Sequence, residues 1–343
     1  MKRWPKGTGE AEARSLRVDP DIPIGLVLGG KYRVEQYIGS GAMGSVFRAR
    51  HTRLPRAYAI KFLHQWLVSD DSLLKRFERE AELAARLSHP NVISVVDIGE
   101  VDGVTFLVMD LGAGPTLGQL LANARFEPLR ACRLIQQLCD GLAHAHDHGL
   151  IHRDLKPDNI VVESRNGDEV PRIADFGLAI LRDATEPHTR LTARGMVLGT
   201  PHYMAPEMAT GHAYDHRVDL FALGVICYEL LTGRLPFDGR SGDVAQAYIH
   251  DEIPSMAARV PEVLVDPMLE TFTRRLLAKR PDDRPATAVR ARDNVDYIVG
   301  ALAGRPTQPM AYAQVVSQTA QDNQRTAKTV AMTRLRKPDD SID

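Results

Sequence analysis

A change of hydrophobic period near Gly112 restricts the fold more than any other feature. From Lys31 to about Met109, apolar residues recur mostly at every second position, in the runs KYRVEQYI, SVFRAR, AYAIKFL, VISVVDIG and VTFLVMD. Such alternation predicts strands, and the EVDG segment at residues 100–103 suits a hairpin between the last two. One helix interrupts them at about residues 71–87, with Leu73, Phe77, Ala84 and Leu87 on one face. After Gly112 the period becomes helical, through Leu129, Cys132, Ile135, Cys139, Leu142 and His146. Residues 217–231 are apolar nearly all round, which predicts a helix enclosed on every side. Two more helices are expected near residues 268–278 and 287–299. The pattern predicts an α+β fold of two lobes. A small antiparallel β-sheet lobe with one helix spans residues 31–111, and a larger, mainly α-helical lobe spans 112–300. Residues 1–30 are expected to form a flexible arm. Residues 301–343, polar and without apolar period, are expected to form a disordered tail.

Composition removes several classes of function. The 343 residues are 44% hydrophobic and 25% charged, enough to bury a sizeable core. Lys and Arg number 43 against 44 Asp and Glu, so no excess charge points to nucleic acid or an anionic membrane. No stretch approaches the roughly 18 apolar residues of a membrane helix. The longest, residues 220–228, is bounded by Asp219 and Glu229. The first residues, MKRWPKGTGE, have no apolar segment behind them and do not read as a secretory signal. Cys132, Cys139 and Cys227 form no CxxC pair and read as buried thiols of a reducing compartment, so a cytoplasmic location is expected.

Gly39, Gly41 and Gly44 form G-x-G-x-x-G in IGSGAMGSV. A dinucleotide fold would require a helix directly afterwards, but residues 45–50 alternate like a strand. A glycine hairpin between two strands can lie over phosphates and bring its backbone N–H groups close to them. A tight hairpin without a ligand would carry the same glycines. Lys61 shares one strand face with Ala59. Most lysines lie at the surface, and one on an inward face needs a partner. Glu80, on the helix face of Phe77, Ala84 and Leu87, is equally costly alone. The two charges explain one another if they pair.

The most specific string is HRDLKPDN at residues 152–159. Asp175 follows in DFG, and GTPHYMAPE occupies residues 199–207. On these motifs, with RFEREAELAARLSHPNVISVVDIGE and LTGRLPFDG, the sequence resembles the eukaryotic-type (Hanks-type) serine/threonine protein kinases, in particular the bacterial members, over about residues 32–299.

The resemblance implies a two-lobed protein kinase fold that transfers the γ-phosphate of ATP to Ser or Thr hydroxyls of protein substrates. It implies that Ile38, Gly39, Ser40, Gly41, Ala42, Met43, Gly44, Ser45 and Val46 cover the nucleotide. Lys61 then holds the α- and β-phosphates and is itself held by Glu80. Ala59 lies on the nucleotide, Met109 at the back of the adenine pocket, and the backbone at Asp110 and Gly112 meets the adenine edge. Asp154 accepts the substrate proton and Lys156 lies near the γ-phosphate. Asn159 and Asp175 hold Mg2+, with Mn2+ as an alternative, and Thr200 touches the catalytic loop. Asp219 braces that loop, and Glu207 pairs with Arg284. Lys156, two residues after Asp154, and GTPHY point to serine and threonine rather than tyrosine. Phosphoryl transfer suits such a set, because it needs positioning and positive charge more than covalent help.

Two rival readings are a pseudokinase scaffold and a small-molecule kinase. Retention of Lys61, Asp154 and Asp175 speaks against the first, and the segment around Thr200 and APE against the second. His144 and His148 stand at zinc-ligand spacing, but no third ligand is evident. The basic tail residues Arg325, Lys328, Arg334, Arg336 and Lys337 read as a solvated surface.

Between DFG and APE, Thr192 lies eight residues before Thr200, the spacing of a primary phosphorylation site in similar bacterial kinases, with Thr189 as second choice. Arg190 and Arg194 flank Thr192. A phosphate there would reverse the local sign and meet Arg153, the arginine before Asp154. Such modification in trans implies a transient homodimer. Thr326 and Thr329 in the tail are expected to take low-level phosphate, read by a phosphothreonine-binding partner.

Overall fold

A computed structural model of the chain describes residues 22–41, 44–64, 71–122, 124–176 and 201–304. They form two compact units. The first comprises the described residues up to Ala113 together with Ala174, Asp175 and Phe176; the second comprises Gly114–Ile173 and the described residues from Pro201 onward.

The first unit is one antiparallel sheet with one helix. Its strands are β1 (Val27–Leu28), β2 (Tyr32–Gly41), β3 (Gly44–His51), β4 (Ala57–Leu63), β5 (Val95–Val101) and β6 (Val104–Asp110), in the order β1-β2-β3-β4-β6-β5. The helix α1 (Asp71–Ala84) follows β4. Alternation sorts the side chains of β4 to two sides. Tyr58, Ile60 and Phe62 join Tyr32, Val34, Phe47, Phe106 and Val108 in one apolar cluster. Leu63 joins Phe77 and Ala81 of α1, Leu107 and Met109 in another, with Ala59 packed against it. The sheet curls: Lys31 Nζ and Tyr32 Oη both donate to Asp97 Oδ2 at 3.2 Å, although β5 lies at the far end of the strand order from β2. Burial and the Asp97 carboxylate push the Tyr32 hydroxyl up to about 12. The β5–β6 turn places Asp102 at φ 50° and Gly103 at φ 79°, as a two-residue hairpin with matching twist requires.

The second unit contains α2 (Leu117–Leu121), α3 (Pro128–Asp147), β7 (Ile160–Arg165), β8 (Asp168–Ile173), α4 (Pro206–Ala209), α5 (Arg217–Thr232), α6 (Ser241–His250), α7 (Met256–Arg259), α8 (Pro267–Leu276) and α9 (Ala288–Leu302). The β7–β8 hairpin and α6 are not among the elements expected from the sequence. Thr116, Asp266 and Thr287 cap α2, α8 and α9 by accepting early backbone N–H groups. All residues of α5 except Arg217 and Glu229 are buried, as its all-round apolar sequence predicts. A Cβ on Gly224 would lie 2.7 Å from that of Leu276, so glycine lets α5 approach α8. Gly233 ends α5 in the left-handed conformation at φ 70°. Arg284, fully buried, makes a two-pronged ion pair with Glu207 at 2.6 and 2.8 Å, the expected pairing. It also donates to the carbonyls of Ala278, Lys279 and Arg217. No described helix is long and apolar enough to cross a membrane.

Candidate active site

In the first unit the glycine hairpin is the end of β2 and β3, with Gly39 paired to Val46, Ser40 to Ser45 and Gly41 to Gly44. A register shift between Tyr37 and Gly39 makes Ile38 an extra residue, and its side chain is half exposed. Gly44 is required by close approach, because a Cβ there would lie 1.9 Å from the Phe62 carbonyl oxygen. A Cβ on Gly39 or Gly41 would meet nothing within 4 Å among the described residues. Packing among the described residues therefore does not account for those two glycines.

Lys61 lies on β4 with its side chain 7% exposed, and its ammonium meets Asp175 Oδ2 at 2.8 Å. This corrects the expected pairing with Glu80. Both carboxylates belong to the first unit, and Glu80 is buried on α1. Asp175, however, adopts φ 64°, uncommon for a residue other than glycine, and carries the carboxylate that reaches Lys61. Met109 is buried beside Ala59, its cross-strand neighbour. The Asp110 side chain accepts from Arg56 at 2.6 Å, and its backbone N–H donates to the Ser94 carbonyl.

In the second unit the string at residues 152–159 lies between α3 and β7. Lys156 Nζ donates to Asp154 Oδ2 at 2.9 Å. Asn159 Nδ2 donates to the Asp154 carbonyl at 2.8 Å and reaches Asp154 Oδ2 at 3.4 Å. Both contacts use the amide nitrogen, leaving the Asn159 carbonyl oxygen as an oxygen ligand. An amide oxygen is a donor type that magnesium accepts, since that ion takes few protein oxygens and fills its shell with water and phosphate. Among the described residues no group of three or more His, Cys, Asp or Glu side chains is placed to hold a metal ion.

The backbone of this loop is fastened to α5. Asp219, 1% exposed, accepts the N–H of His152 at 2.8 Å and of Arg153 at 2.9 Å. A third contact comes from His146 Nε2 at 2.8 Å. Burial pushes the Asp219 carboxyl up, but the hydrogen bonds from His146 and the His152 backbone outweigh it and hold the group below its usual range. The sequence raised His144 and His148 as a pair and placed His146 in the helical series without assigning it a partner. The available signal was its place on the apolar face of α3, where a polar side chain needs a partner. His148 Nδ1 is instead 2.8 Å from the His144 carbonyl. Burial, then His148, lowers the His144 imidazole.

Tyr203 Oη donates to Glu229 Oε2 at 2.6 Å. Burial pushes the Glu229 carboxyl up, the Tyr203 hydrogen bond opposes this, and Asp158 adds to it. Ala42, Met43, Thr189, Thr192 and Thr200 lie outside the described residues.

The sequence matches the protein kinase domain over residues 32–294. It is 45% identical over 276 residues to the serine/threonine-protein kinase pkn3 of Myxococcus xanthus, covering 79% of this chain and 50% of that protein. It is 36% identical over 267 residues to the serine/threonine-protein kinase PrkC of Bacillus subtilis, covering 77% of this chain and 40% of that protein. The chain thus spans half or less of the length of these curated relatives. Among solved structures, the PknI kinase domain of Mycobacterium tuberculosis is similar with a TM-score of 0.63 and 29% identity, covering 80% of this chain and 98% of that one.

Proposed function

We propose that this chain, which belongs to the protein kinase family, transfers the γ-phosphate of ATP to serine and threonine hydroxyls of protein substrates. The observation that carries the proposal is the Asp154–Lys156–Asn159 group: a carboxylate, a cation and an amide oxygen on a loop fastened to a buried helix. Asp154 takes the proton of the attacking hydroxyl, and a loose transition state asks for that removal late. Lys156 lies on that carboxylate and can offset charge on the transferring group. Lys61 orients the α- and β-phosphates. The open backbone at Gly39 and Gly41 supports a cover over the phosphates. Asn159 and Asp175 would hold magnesium, which would offset charge on the phosphate oxygens when bound. Three buried free thiols fit a cytoplasmic, reducing setting for this unit.

The test is transfer of label from ATP to protein in the presence of magnesium, followed by separation of the labelled amino acids. Phosphoserine and phosphothreonine are expected, with loss of label in Asp154→Asn. Label in phosphotyrosine alone, or none with any protein including the chain itself, contradicts the reading.

Phosphorylation of Thr192, with Thr189 second, would switch the enzyme on through Arg153, by reaction in trans within a transient homodimer. Arg190 and Arg194 beside Thr192 support this. Phosphate on Thr326 and Thr329 would supply a site for a phosphothreonine-binding partner. If phosphatase-treated enzyme and the Thr189→Ala, Thr192→Ala variant turn over an added substrate as fast as untreated enzyme, there is no such switch.

A further inference from the structure

The end of β4 touches both arms of the glycine hairpin. On the β3 arm, Gly44 pairs with Leu63 and is pressed against the backbone. A Cβ there would lie 1.9 Å from the Phe62 oxygen and 3.1 Å from the Leu63 Cα. The next residue, His64, is partly exposed and reaches the other arm: its Nε2 lies 3.3 Å from the carbonyl oxygen of Gly41 on β2. A carbonyl only accepts, so Nε2 carries the proton and donates. Gly41 and Gly44 are themselves cross-strand partners. One short stretch, residues 62–64, thus holds one arm by backbone contact and the other by a side chain.

We propose that His64 is a positioning residue of the nucleotide site, which pins the β2 arm of the hairpin through the Gly41 carbonyl. The inference rests on reading the hairpin as the cover of ATP. Glycine-rich backbone has more conformations to lose than any other. A tether set before the nucleotide arrives removes part of that ordering cost from binding. His64 does not touch the reacting atoms; it acts through Gly41. Its contribution therefore belongs to nucleotide affinity and not to the rate of transfer once ATP is bound.

Glutamine supplies an N–H donor of similar reach, whereas methionine supplies similar length and no donor. His64→Met is expected to raise the KM for ATP about threefold to tenfold, the worth of one hydrogen bond. It should leave kcat within about twofold. His64→Gln is expected to match the wild type. Titration with magnesium and ADP, read by calorimetry, should show the same shift in Kd without turnover.

A His64→Met enzyme with wild-type KM and Kd overturns the proposal. So does His64→Gln impaired as much as His64→Met, because the donor would then be irrelevant. Loss of the folded state in His64→Met would assign the residue to core support and overturn it as well. Failure of the wild type to bind nucleotide would sink the reading of the site itself, and is seen separately in the same titration.

Discussion

Asp219 accepts the backbone N–H of Arg153 at 2.9 Å while Arg153 sits at φ 64°, in the left-handed region. Single residues other than glycine in that region cost on the order of 1–3 kcal/mol and persist only where surrounding contacts impose them. Here the surrounding contact is a buried carboxylate on α5, and the residue it constrains immediately precedes Asp154.

Asp219→Asn should therefore damage both stability and turnover. An amide offers one oxygen where three N–H donors converge, and its own NH2 would face one of them. A loss of about 3 kcal/mol in urea unfolding is expected, since bonds to a buried charge are at stake. A fall of more than about tenfold in kcat at saturating ATP should accompany it. Unchanged kcat with reduced stability would separate the anchor from catalysis.

The pH dependence of two carboxylates on α5 should run in opposite directions. Asp219 is held below its ordinary value, so its contribution is present above the unfolded pKa of about 3.9 and lost as pH falls through the lower folded value. The stability gap between wild type and Asp219→Asn should be steady near neutrality and close only in acid. Glu229 is raised by burial, so its charge costs stability as pH rises through the folded value and costs nothing well below the unfolded value. Glu229→Gln keeps an oxygen for the Tyr203 hydroxyl. Its advantage over wild type should grow as pH rises above the unfolded carboxylate value of about 4.3, measured as urea midpoints. An advantage independent of pH would contradict the assignment.

Arg284→Met leaves the Glu207 carboxylate buried without its cation and should cost about 3–5 kcal/mol. The double variant Arg284→Met, Glu207→Leu should recover much of that loss. Calorimetric unfolding of the four proteins gives the coupling directly. Additive losses would mean that the two side chains are not coupled.

Lys61→Met should abolish phosphorylation while circular dichroism stays unchanged. Asp175, one-quarter exposed, can be hydrated once the ammonium is gone. The expected fall in activity is about a hundredfold or more, the scale of losing a preorganised charge at a transition state. Loss of the fold in parallel with activity would assign Lys61 to structure instead.

Much of this was legible in the sequence. Residues 217–231 announced a buried helix because no polar face interrupts them, and the strands around Lys61 announced themselves by alternation. The strings 152–159 and 199–207 carried the resemblance to the protein kinase family. The partner of Lys61 was not legible. The contact comes from Asp175, which adopts φ 64°, a backbone property that no periodicity encodes. The β7–β8 hairpin was obscured by Pro171 and by charged residues on both strands, although Asn166-Gly167 is a strong turn signal and adopts φ 53° and 90°. His146 was hidden because its partner lies 73 residues away.

Amide hydrogens on α5 have no local route to water, because nearly every residue of that helix is enclosed. They should exchange with deuterium only when the second unit opens as a whole. His152 and Arg153 belong to a loop, where exchange is ordinarily fast, yet their amides are bound to a carboxylate on that same helix. Two loop amides should thus exchange as slowly as the interior of a helix more than sixty residues further along the chain, and serve as its reporters.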